Sequence, residues 1–95
     1  MKVVFTDHLI SRLKLRKISK NLAKKVYRER KTTLYDTIWD HHIALSKQLF
    51  FGKIRLLVVA FDKFSDRVEL ITIYPTTEKE AASKIKSGRW KHEEN

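Results

Sequence analysis

Over the first thirty residues apolar positions recur at helical spacing after a brief extended start, and from Thr32 onward they cluster as in strands. Val3-Val4-Phe5 reads as a first strand, with Thr6 or Asp7 behind it as a helix N-cap. Leu9, Ile10, Leu13 and Ile18 then form one apolar stripe, while Arg12, Lys14, Arg16 and Lys17 occupy other faces. Ser19 caps a second helical stretch carrying Leu22, Ala23, Val26 and Tyr27; the pattern does not say whether the two stretches are continuous. The polar run Arg28-Glu29-Arg30-Lys31 ends the helical region.

Four strands follow by pattern, Leu34 to Trp39, Ile43 to Phe51, Ile54 to Phe61 and Val68 to Tyr74, separated by Asp40-His41-His42, Gly52-Lys53 and the polar segment from Asp62 to Asp66. Connections this short predict an antiparallel meander. The segment from Leu56 to Phe61 is apolar on both faces and belongs at the centre, with helices over one side. Strict alternation in the last strand puts Val68, Leu70, Thr72 and Tyr74 on one face, and Glu69, Ile71 and Ile73 on the other. Pro75 is expected to stop that strand, and Thr77 with Glu80 has the spacing of a capping box that opens a C-terminal helix ending at Gly88. The predicted class is α+β: two N-terminal helices packed on a twisted, mainly antiparallel four- to five-stranded sheet, with a short C-terminal helix. One domain is expected over residues 1–95, with a polar tail from about residue 91.

Charge changes this picture more than composition does. Twenty-one Lys and Arg against 11 Asp and Glu give a formal net charge of +10. A surface so basic attracts polyanions by counterion release, so RNA or DNA leads the expected partners. An acidic protein partner would satisfy the same charge. The absence of cysteine removes any disulfide framework and any thiolate metal site. No apolar run suits a signal peptide or a membrane span, so a cytoplasmic protein without membrane contact is expected.

His8, Arg12 and Arg16 are spaced by four, which on a helix stacks them about 40° apart at each step. An imidazole beside guanidinium groups can move a proton while the cations hold a phosphate; the same residues also suit an ordinary solvated face. Thr72 and Tyr74 are neighbours on their strand, where the phenol could orient a ribose 2′-hydroxyl, stack on a base, or simply pack at the core's rim. Arg55 projects near a strand start as a secondary phosphate ligand, and Arg89 and Trp90 complete the candidate substrate-binding set. Trp39 and Trp90 suit half-buried anchors as well as stacking platforms. Asp36, Asp40, His41 and His42 match no metal-ligand spacing and read as a polar hairpin, so neither metal nor cofactor is expected.

With these residues placed, the chain resembles the RelE-like toxin superfamily, in particular a branch that opens with His-x-x-x-Arg-x-x-x-Arg and closes its sheet with Thr-x-Tyr-Pro or Thr-x-His-Pro. Here those motifs are His8 to Arg16 and Thr72-Ile73-Tyr74-Pro75, and the likeness extends through Leu34-Tyr35-Asp36, Phe51-Gly52-Lys53 and Lys86 to Trp90. The resemblance implies a RelE-like fold and a toxin of a toxin–antitoxin system. Such toxins cleave RNA without metal, usually mRNA on the ribosome, and are held inactive by a cognate acidic antitoxin. It implies attack of a 2′-hydroxyl on the adjacent phosphate, with His8 as proton-transfer group, Arg12 and Arg16 as phosphate stabilisers and Tyr74 as orienting or auxiliary acid/base group. Two other readings stand beside it: a non-catalytic RNA- or DNA-binding module, and a small accessory protein, a homodimer among the options, that binds an acidic partner.

Overall fold

The computed structural model describes residues 2–93. The chain runs β1 (Lys2–Phe5), α1 (Asp7–Arg16), α2 (Lys20–Arg28), β2 (Thr33–Asp36), β3 (His41–Phe50), β4 (Lys53–Lys63), β5 (Arg67–Thr76), α3 (Glu78–Lys86) and β6 (Trp90–His92). The strands form one sheet in the order β1-β5-β4-β3-β2-β6.

This corrects the expected four- to five-stranded antiparallel sheet: among the described residues it has six strands and is mixed. β1 pairs in parallel with β5, from Lys2 opposite Arg67 to Phe5 opposite Leu70. The sixth strand comes from the segment expected to be a tail, where Trp90–His92 pairs antiparallel with β2. An apolar anchor explains it: Trp90 is wholly buried, and three residues suffice to extend a sheet that already offers an open edge.

The helix starts follow cap chemistry. Thr6, Ser19 and Thr77 each accept a hydrogen bond from the backbone N–H three residues on. Glu80 completes the third cap by accepting from Thr76 Oγ1 at 3.0 Å. α1 and α2 are separate, because Lys17 adopts a left-handed conformation (φ 56°) and Ile18 N–H bonds back to Leu13 O at 2.9 Å. In the β3–β4 hairpin Phe51 and Gly52 both have positive φ (49° and 78°), as a two-residue type I′ turn requires.

Two further expectations fail locally. Pairing slips between Ala60, opposite Thr72, and Phe61, opposite Leu70, so Ile71 is the extra residue of a bulge. Alternation therefore inverts at Ile71: Val68, Leu70 and Ile73 pack in the cluster under α1 and α2, and Tyr74 packs with Val58 and Ala60 on the opposite face. Pro75 does not end β5 but lies inside it, opposite Leu57. β1 covers β5 only to Leu70, and a strand open on one side is where proline is tolerated.

The two faces are covered unequally. Leu9, Leu13, Ala23 and Val26 of α1 and α2 seal one face over Leu57, Val59 and Phe61. The other holds a smaller cluster, with Ala81 of α3 and Trp90 over Leu34, Val58 and Ala60, and α3 leaves part of it uncovered. No helix among the described residues is long and apolar enough to cross a membrane.

Candidate functional site

The uncovered part of the second face is a cleft of about 490 Å³. Ile43, Ala60 and Thr72 lie on β3, β4 and β5, while His8 and Arg12 come from α1, Tyr74 from β5, and Asp36, Trp39, His41 and Arg89 from the β2 side. α1 reaches the cleft because β1 stops at Phe5. Thr6 turns the chain by donating its N–H to Leu70 O at 3.1 Å, and its hydroxyl lies 3.2 Å from the same oxygen. α1 then follows the open edge of β5, where the Arg16 guanidinium donates to Ile73 O at 2.7 Å.

Asp36 organises the far wall. It is 4% exposed and accepts from the backbone N–H of Ile38 (2.9 Å) and Trp39 (3.0 Å), from Trp90 Nε1 (3.2 Å) and from Arg89 (3.4 Å). Burial alone would raise its carboxyl pKa, but the hydrogen bonds from Trp39, Ile38, Trp90 and Arg89 outweigh it and hold the pKa below the usual aspartate value. Asp36 is thus an anion fixed in place, with its lone pairs occupied. Arg89 is tethered twice, by Asp36 and through its own carbonyl, which accepts from Thr37 N–H at 2.8 Å. Its Nε is buried without a hydrogen-bond partner among the described residues.

Burial raises the Tyr74 pKa, Arg89 opposes that, and Asp36 and Glu80 add to it, so the phenol keeps its proton at neutral pH. It can donate a hydrogen bond; it is not a ready base. Trp39 is 66% exposed at the cleft's edge, a ring free to stack. His41 Nδ1 lies 2.8 Å from Asp62 Oδ1.

No known protein-family model matches the chain, and neither curated proteins nor solved structures give a significant match. Its chemistry has to be read from its own side chains.

Five residues singled out in the sequence, His8, Arg12, Thr72, Tyr74 and Arg89, line this one cleft. Three others do not. Arg16 spends its guanidinium on the β5 edge, because the last turn of α1 lies against Ile73 rather than beside the cleft. Arg55 is exposed near the start of β4 and lines a separate hollow with Lys47, Lys53, Thr76 and Glu78. Trp90 has no face to offer a base, since its ring is wholly buried and its indole N–H is given to Asp36.

Sequence reasoning weighed Trp39 as an anchor or a stacking platform, but by reading Asp36 as part of a strand and Asp36 and His41 as members of a polar hairpin it missed that these two line the cleft. The signal lies in Asp36 alone, a short carboxylate able to accept from backbone N–H groups two and three residues on, as it does from Ile38 and Trp39. The four residues weighed as metal ligands have separate partners: Asp36 accepts from Ile38, Trp39, Trp90 and Arg89, His42 Nδ1 meets Glu93, Asp40 accepts from the Tyr35 hydroxyl, and His41 pairs with Asp62.

Proposed function

We propose that the protein is a metal-independent endoribonuclease that cuts RNA by attack of a 2′-hydroxyl on the adjacent phosphate, acting as the toxin of a toxin–antitoxin pair. The observation that carries this reading is the meeting of His8 and Arg12 with Tyr74 and Arg89 around one cleft. Transesterification at phosphorus needs a proton acceptor, a proton donor and cations for the charge that gathers on the phosphoryl oxygens, and side chains can supply all three. Arg12 and Arg89 stand on opposite walls to hold the phosphate, with Asp36 fixing the second of them. His8 transfers protons, and the protonated Tyr74 hydroxyl donates to the ribose or the phosphate. Trp39 gives a flanking base a surface to stack on. The net charge of +10 brings the polyanion to the cleft.

Induced expression of wild type and His8→Ala in a bacterial host, with mapping of RNA ends, tests the proposal. Expected are growth arrest and new ends bearing 2′,3′-cyclic phosphate and 5′-hydroxyl, with at least about 100-fold less cleavage in vitro for His8→Ala in chelator. Intact RNA with a folded wild type that binds RNA in a salt-dependent way, and makes no product, would overturn it in favour of a binding module.

A further inference from the structure

Resting on that reading, we propose that His41, oriented by Asp62, is the base that takes the 2′-hydroxyl proton, leaving His8 as the acid that protonates the departing 5′-oxygen. The two imidazoles stand on opposite sides of the cleft, His41 on β3 and His8 on the helix along the free edge of β5. β3 and β5 are two inter-strand spacings or ~10 Å apart, and His8 stands on α1 beyond the free edge of β5, so the two side chains line the cleft from opposite ends of the space over β4 and β5. Small Ala60 and Thr72 lie on the strands between them. In-line displacement demands groups on opposite sides, because the attacking 2′-oxygen and the leaving 5′-oxygen lie on opposite sides of phosphorus.

The Asp62 contact sets His41 apart from His8 and supports its assignment as the base. An ionised carboxylate only accepts, so His41 Nδ1, 2.8 Å from Asp62 Oδ1, carries a hydrogen, and in the neutral ring the lone pair lies on Nε2. His41 is partly exposed at its position in the cleft wall, so substrate can reach it. In the step itself, Nε2 removes the 2′-hydroxyl proton as O2′ bonds to phosphorus. The phosphorus–O5′ bond breaks with its electron pair going to O5′, which takes a proton from the His8 imidazolium. The products are a 2′,3′-cyclic phosphate and a 5′-hydroxyl, with no other reactant. Asp62 is a positioning residue that fixes the His41 tautomer and offsets the positive charge formed on it.

Folded wild type, His41→Ala, His41→Gln, Asp62→Asn and His8→Ala chains are compared on a pool of oligomers that each carry one ribonucleotide. The oligomers bear either oxygen or sulfur at the bridging 5′ position; a thiolate leaves without needing a proton. His41→Ala and His41→Gln lose at least about 100-fold on both substrates. His8→Ala loses as much on the oxygen substrate and returns to within about tenfold of wild type on the sulfur one. Asp62→Asn lowers kcat with KM unchanged and shifts the His41 tautomer seen by nitrogen NMR. Wild-type cleavage by His41→Ala, with His8→Ala inactive, overturns the role of His41 while the ribonuclease reading stands. Recovery of His41→Ala on sulfur reverses the two roles and also overturns the proposal. A wild type that cuts neither substrate, with a nucleoside vanadate moving neither imidazole signal, overturns both readings together.

Discussion

Two hollows of similar size and both lined by cations differ in how their charges are held. In the cleft of about 490 Å³, Asp36 fills its lone pairs with four donors, Arg89 is tied to Asp36, and His41 is tied to Asp62. In the hollow of about 460 Å³ near the start of β4, Lys53 and Arg55 are exposed, and Lys47 reaches Glu78 at 2.7 Å with both side chains mostly in solvent. The hydrogen bond and charge of Lys47 lower the Glu78 pKa, but solvent screens a pair so exposed. On the proposed function both hollows attract phosphates, and the fixed geometry of the first also orients them for chemistry at phosphorus.

The sharpest way to break this comparison is to remove one cation from each hollow. Arg12→Ala is expected to lower RNA cleavage by about 100-fold or more, the loss that follows removal of one preorganised group facing transition-state charge. Arg55→Ala should leave the rate of the bound complex within about twofold. Equal losses in single-turnover rates would erase the distinction between the hollows.

Asp36 gives the next largest effect, read in stability. Asp36→Ala strands two backbone donors and the buried Trp90 N–H, at a cost of about 3 kcal/mol, whereas Glu78→Ala should cost almost nothing. Thermal unfolding of the two variants measures the contrast. The pH dependence has a definite sign. Because the Asp36 pKa is lower folded than unfolded, its contribution is present above the ordinary aspartate value and is lost as pH falls through the folded value. Wild type should therefore lose stability below about pH 4, and Asp36→Asn should flatten that part of the curve.

Tyr74→Phe comes third, with a loss of about tenfold in cleavage, since it removes one hydrogen-bond donor and leaves the ring packing on Val58 and Ala60. A rate that climbs only as the phenol ionises, far above neutral pH, would instead make Tyr74 a base.

What the sequence made readable follows from how local each determinant is. Caps at Thr6, Ser19 and Thr77 are short-range chemistry, and all three open helices as their residue types suggest. The break at Lys17 was open because a lysine in a left-handed conformation carries no residue signature such as glycine gives. The bulge at Ile71 was invisible because apolar alternation runs through it unchanged, and only pairing with β4 reveals the extra residue. β1 was legible as a strand in Val3-Val4-Phe5, but its parallel pairing with β5 was not, and β6 is a strand by virtue of a distant partner, β2, which no local pattern names. For the site, side-chain chemistry picked out His8, Arg12, Thr72, Tyr74 and Arg89. It could not tell that Arg16 meets a carbonyl of β5, that Trp90 is sealed in the core, or that a turn would bring Asp36 and His41 to the wall.

The smallest effect separates attraction from chemistry most directly. Lys53 and Arg55 lie near the start of β4, away from the cleft, and they can act on RNA only as phosphate contacts. For single-stranded RNA each phosphate neutralised contributes about 0.7 to the slope of log affinity against log salt. The double substitution Lys53→Ala/Arg55→Ala should therefore reduce that slope by about 1.4 if RNA crosses this hollow, and leave the cleavage rate at saturating protein unchanged. Arg12→Ala should change the slope by no more than its single contact while it removes the rate. If the double substitution leaves the slope untouched, RNA does not pass over the start of β4, and attraction and orientation both belong to the cleft.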